Sequence, residues 1–86
     1  MKDVDTIKRG LRKFISDSFL FGNDEIEFTD VDSFLDTGII DSTGILELVS
    51  YLEKEFGFSV EDDEMIPRNF DTIENLAGYI ARKTAA

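Results

Sequence analysis

Three stretches of this 86-residue chain repeat their apolar residues at the spacing of an α-helix, and no other feature limits the fold as strongly. In DVDTIKRGLRKFISDSFL the apolar positions are Val4, Ile7, Leu11, Phe14, Ile15 and Phe19. Between residues 42 and 56, Ile45, Leu48, Val49, Leu52 and Phe56 share one face. In DTIENLAGYIARK the stripe is Ile73, Leu76, Ala77 and Ile80. Steps of three and four stack side chains along one side of a helix. Amphipathic helices bury such stripes against one another, so the expected fold is an all-α bundle.

The helix ends carry their own signals. Asp41-Ser42 suits a helix start, and Gly57 a helix stop. Asp71 and Glu74 have capping-box spacing, and Arg82 and Lys83 favour the negative end of the last helix. Pro67 should end a short helix and push Ile66 to an extended conformation. Residues 21–41 lack a sustained period, with turn signals at Gly22-Asn23-Asp24 and at Gly38. Ile26, Phe28, Val31, Phe34, Leu35, Ile39 and Ile40 are available to pin this segment to the core. The expectation is a single domain over residues 1–86, a four-helix bundle with helices at about 3–20, 42–56, 61–66 and 72–83. Three of these are main helices and one is short, with a long first loop.

Charge narrows the function. Nineteen acids against nine bases give a net charge of −10, which opposes binding to nucleic acid and to anionic membranes. Five of the bases (Lys2, Lys8, Arg9, Arg12, Lys13) fall in the first 13 residues, and none lies between Phe14 and Glu53. From Asp41 to Ile66 there are eight acids and one base, Lys54. That surface either only aids solubility or docks basic partners. With no cysteine, no signal-peptide pattern and no apolar run that would span a bilayer, the expectation is a soluble, cytoplasmic monomer without membrane insertion.

The chemistry within the chain is sparse. A nucleophilic serine needs a base, and there is no histidine. The GxSxG pattern also fails, because Ile40 replaces its first glycine. Asp30, Asp32 and Asp36 do not form a calcium loop, since Phe34 and Leu35 occupy positions that need a ligand and a glycine. No catalytic residue and no metal site are therefore expected. Ser42 remains as an acceptor of a group. At a helix start the open N–H groups and the dipole favour an anion such as a phosphodiester. On position alone, a plain N-cap role for Ser42 is the simpler reading.

The wider pattern changes that balance. LDTGIIDSTGILELVSYLEKEFGFSVEDDEM followed by FDTIENLAGYI resembles the acyl and peptidyl carrier proteins. The matching elements are Gly38, Asp41-Ser42, Glu47-Leu48, the end Glu53-Lys54-Glu55-Phe56, and Thr72-Ile73, Leu76 and Tyr79-Ile80. The resemblance implies a four-helix fold without catalysis of its own. It implies a 4′-phosphopantetheine arm on Ser42, beside Asp41, derived from coenzyme A. The arm would carry an acyl group as a thioester for fatty-acid or secondary-metabolite synthesis. An aminoacyl, D-alanyl or peptidyl cargo is the alternative. The implied partners are a phosphopantetheinyl transferase, an adenylating acyl or aminoacyl ligase, and downstream transferases or synthases. Partner contacts would fall on Thr43, Leu46, Glu47, Ser50 and Glu53. Thr43 stands where the family most often has Leu, Gly44 follows it, and Ser50 is smaller than its usual counterpart in fatty-acid carriers. These departures resemble free-standing carriers served by a dedicated ligase. A different class, an unmodified acidic helical adaptor, keeps Ser42 as a cap only.

Overall fold

A computed structural model describes residues 3–21 and 27–84 of the protein. Helix α1, Val4–Phe19, starts where the Asp3 side chain accepts the Thr6 N–H at 2.9 Å. That hydrogen bond holds the Asp3 carboxyl below the usual carboxylate range. Ile7, Leu11 and Ile15 are its buried face, one residue per turn. Helix α3, Ser42–Phe56, buries Gly44, Leu48 and Leu52 and ends on Gly57. The Gly57 φ of 73° lies in the left-handed region, which a side chain would resist, and its N–H closes on the Glu53 carbonyl at 3.1 Å. Helix α5, Ile73–Thr84, is the central element, with Ile73, Leu76, Ala77, Tyr79 and Ile80 buried. Its sequence puts apolar residues on more than one side because α1, α3 and a short helix all pack on it.

Between α1 and α3 the chain is not a plain loop. Phe34–Thr37 forms a single turn of helix, α2, capped by the Ser33 hydroxyl on the Asp36 N–H and by Gly38 at φ 76°. Four residues show no period, so the sequence signals only its two caps. Phe34 and Ile40 are wholly buried, whereas Val31 and Leu35 stay exposed. The Ile26 and Gly22-Asn23-Asp24 readings lie outside the described residues. The segment is held from outside. Arg12 donates to Asp30 at 2.6 Å and to the Phe28 carbonyl at 3.0 Å, and its guanidinium lies over the Phe28 ring. The Glu74 N–H reaches the Asp30 carbonyl at 2.9 Å.

Asp71 departs from expectation. It does not cap α5; the Thr72 hydroxyl does, accepting the Asn75 N–H at 3.0 Å. Asp71 instead accepts the Ser33 hydroxyl and the Leu35 N–H through its carboxylate, and the Phe34 N–H through its carbonyl. The expected helix over 61–66 also differs. Asp62–Glu64 is a single 3₁₀ turn, Ile66 is extended at φ −122° and ψ 155°, and a short helix α4 occupies Pro67–Phe70. Pro67 ends nothing; it begins α4, where its missing N–H costs no bond and its fixed φ suits the first turn.

The bundle is therefore three long helices, α1, α3 and α5, around one core, with α2 and α4 closing one side. No helix among the described residues is long and apolar enough to cross a membrane. The Phe14 and Tyr51 rings stack at 3.9 Å and join α1 to α3 at the edge of the core. Each fully buried aliphatic side chain contributes about 2 kcal/mol. Replacing Asp71 with Ala removes two hydrogen bonds to a charged group across 36–38 residues of chain. Asp71→Ala should cost about 2 kcal/mol, read in urea as a lower midpoint at unchanged slope.

Candidate functional site

The loop from Gly38 delivers the chain to Asp41, which is extended at φ −92° and ψ 180°. Its carboxylate accepts the Gly44 N–H at 2.7 Å and its carbonyl the Ile45 N–H at 3.1 Å. Asp41 is thus the N-cap, and Ser42 is the first residue inside α3. A cap reading of Ser42 is replaced by one position. The Ser42 side chain is exposed and its hydroxyl makes no hydrogen bond among the described residues. The N–H groups of Ser42 and Thr43 likewise meet no acceptor among the described residues. Those two donors and the positive end of the α3 dipole lie beside a free hydroxyl.

Ser42 opens onto an apolar groove of about 290 Å³. One wall is Ile45 and Leu46 of α3; Leu35 of α2 and Met65, Ile66, Pro67 and Phe70 of the 62–70 segment form most of the rest, and Asp71 also lines it. Leu35, Leu46 and Ile66 are 44%, 58% and 42% exposed, so the groove mouth is an apolar rim. The sequence does not mark Leu35, Met65, Ile66, Pro67, Phe70 or Asp71 as site residues. Leu35 reads there as a core pin, Ile66 only as extended and Asp71 as a cap, and only the fold brings α2 and α4 to the start of α3.

The other expected site residues run along the outside of α3. Thr43, Leu46, Glu47, Ser50 and Glu53 are all exposed. Glu53 has a second commitment, because its Oε2 accepts the Val60 N–H at 2.9 Å and braces the turn after α3. Glu47 makes no ion pair among the described residues. No group of three or more His, Cys, Asp or Glu is placed to hold a metal among the described residues.

The 62–70 wall of the groove hangs on Glu64. Its carboxylate accepts the Glu61 N–H at 3.0 Å, the Tyr79 hydroxyl at 3.1 Å and Lys83 at 2.9 Å. Its carbonyl accepts Asn69 Nδ2 at 2.8 Å, and Arg82 donates to Asn69 Oδ1 at 3.3 Å. The Glu61 N–H, then Lys83, hold the Glu64 carboxyl below the usual glutamate range. Burial, then the Glu64 carboxylate, push the Tyr79 hydroxyl up.

Comparison with known proteins agrees with this geometry. Residues 19–80 match the family described as "Phosphopantetheine attachment site". The chain is also similar to a D-alanyl carrier protein of Abiotrophia defectiva, 33% identical over 64 residues, covering 73% of this chain and 81% of the relative. The chain belongs to the phosphopantetheine-bearing carrier protein family, whose cofactor is covalently attached 4′-phosphopantetheine.

The Glu64 network sets a pH dependence. Because the folded carboxyl is depressed, its contribution is complete above the unfolded value of about 4.3 and is lost as pH falls through the lower folded value. Thermal unfolding followed from neutral to acid pH should show this loss in the wild type. Glu64→Gln should start less stable and lose less over the same acid range. Parallel curves for the two proteins would contradict the assignment.

Proposed function

We propose that this protein carries a small carboxylic acid as a thioester on a phosphopantetheine arm attached to Ser42. The observation that carries the reading is the Ser42 hydroxyl: exposed, without a partner among the described residues, at the start of α3 and at the mouth of an apolar groove. The residues fit the group. The Ser42 and Thr43 N–H groups would hold a phosphodiester oxygen, and Ile45, Leu46 and Ile66 would take aliphatic parts of the arm. When bound, the arm supplies the thiol on which a cargo is carried, which the chain, having no cysteine, does not.

Attachment needs little from the carrier. The Ser42 oxygen forms a bond to the pantetheine-side phosphorus of coenzyme A. The pyrophosphate P–O bond breaks, and 3′,5′-ADP leaves. We assign the base that takes the hydroxyl proton to the transferase, since the chain has no histidine and Asp41 is engaged as the α3 cap. Asp41 fixes the helix start, and α3 aims the hydroxyl.

The D-alanyl carrier relative supports an amino acid as the cargo, loaded by an adenylating ligase. A second reading, a short acyl group, draws on the apolar lining of the groove. We place the work of the protein in the cytoplasm with soluble partners. Thr43, Leu46, Glu47, Ser50 and Glu53 form the partner face, where an exposed Leu is flanked by acids. Such a face raises the encounter rate with basic enzymes and keeps affinity modest.

Incubation with a broad-specificity phosphopantetheinyl transferase and coenzyme A should add one phosphopantetheinyl mass. Ser42→Ala should abolish the gain and keep native helicity. A wild type that gains no mass, or a gain that survives in the variant, would overturn the assignment. Loading the holo-protein with D-alanine and its ligase, against short fatty acids and theirs, then separates the cargoes. In the same assay Glu47→Lys should slow transfer most at low ionic strength, because the face acts through steering that salt screens. Equal slowing at every salt concentration would refute steering.

A further inference from the structure

Gly44 runs against helix propensity, sitting as a glycine in the first turn of α3. It is also buried, although its neighbours Ser42 and Thr43 are exposed. A Cβ at this position would lie 2.8 Å from Phe19 Cε1 and 2.9 Å from Ile40 Cγ2. It would also lie 3.4 Å from Asp41 Oδ1. The first two approaches are closer than any side chain tolerates. They come from two directions, the end of α1 and the residue two before Ser42. Ile40 is 0% exposed and belongs to the core. The Phe19 ring edges onto Phe14 at 5.9 Å, and Phe14 is stacked on Tyr51. The backbone of Gly44 is engaged as well, its N–H donating to Asp41 at 2.7 Å.

We propose that Gly44 is a positioning residue for group transfer at Ser42. Its missing side chain lets the first turn of α3 seat against Phe19 and Ile40, and that seat fixes where the Ser42 hydroxyl stands. The inference rests on the reading of Ser42 as the attachment point. It adds that the end of α1, which does not line the groove, takes part in presenting that serine. Gly44 touches neither the hydroxyl nor the groove. It acts through the height of the helix turn, and a shift on the order of 1 Å in a reacting group can cost ~100-fold in rate.

The test uses the full-length apo-protein, a phosphopantetheinyl transferase and coenzyme A, with initial rates measured over a range of carrier concentrations. Rates are taken at a temperature where each variant is fully folded. Gly44→Ala should lower kcat by about tenfold or more and leave KM within about twofold, since the outer face of α3 is unaltered. The double variant Phe19→Leu, Gly44→Ala removes the closer of the two clashes and should raise kcat at least about threefold above that of Gly44→Ala. If Gly44→Ala does not fold, Phe19→Ala addresses the seat from the other side. It leaves a void under the turn and should also lower kcat at near-constant KM. An unchanged kcat in the folded Gly44→Ala or Phe19→Ala protein, a change confined to KM, or a well-folded double variant that stays slow would overturn the proposal. Failure of the wild type to be modified at Ser42 would overturn the proposed function instead. Normal wild-type modification with an insensitive Gly44→Ala would overturn only this inference.

Discussion

The site depends on one carboxylate far from it in sequence. Asp71 takes the Ser33 hydroxyl and the Leu35 N–H, while its carbonyl takes the Phe34 N–H. A connection of some twenty residues cannot present a serine reproducibly unless its backbone polar groups are satisfied. Asp71 does this for the part nearest the serine and fastens α2 to the junction of α4 and α5. Phe34 and Ile40 then enter the core, and the chain between them has little freedom left before Asp41. Arg12 and Asp30 fasten the earlier part of the same connection to α1. That pair is about one-third exposed, so it contributes more to the path of the chain than to stability.

The opposite wall of the groove is organised by the same means. Glu64 gathers a backbone N–H, the Tyr79 hydroxyl and Lys83, and its carbonyl takes Asn69. The parts of the groove outside α3 are short segments, a four-residue helix and a 3₁₀ turn running into another four-residue helix. Helices of one turn do not stand alone. Here each is held by a carboxylate that ties it to the region around α5. The groove is thus shaped by polar side chains, Glu64 behind it and Asp71 on its lining, although most of what faces into it is apolar.

The long helices were legible because fifteen or so residues of apolar period leave few alternatives, and α3 begins and ends where Asp41 and Gly57 indicate. The family was legible from Asp41-Ser42 set at fixed distances from Glu47-Leu48 and from the last helix. The short elements were not. Pro67 was read as a stop, when its fixed φ serves a helix start equally well. Asp71 was read as a local cap, because sequence spacing shows neighbours within a turn and not a partner 38 residues away. In the sequence Gly44 is only a poor helix former that follows Thr43, and a phenylalanine edge closing on it from α1 is visible only in the fold. Leu46 is exposed, but Leu35, which reads as a core pin, and Ile66, which reads only as an extended residue before Pro67, share its rim. Apart from Pro67, each of these differences concerns a contact made across the fold.

The arrangement separates two requirements that a carrier must meet together. On the proposed function its outer α3 face would dock partner enzymes and release them, and exposed, weakly engaged groups such as Leu46 and Glu47 suit that. Its serine must occupy one place relative to that face, so the turn bearing it needs a rigid seat. Nothing in the outer face supplies rigidity. Asp41, Ile40, Gly44 and Phe19 supply it from beneath, through a charge-assisted cap and close packing. Glu53 is the exception, because it lies on the outer face and also braces the turn after α3. Reversing its charge would disturb that brace as well as the proposed docking, whereas Glu47 makes no ion pair among the described residues. Residues under the first turn should then govern the rate of transfer, and residues above it the strength of encounter.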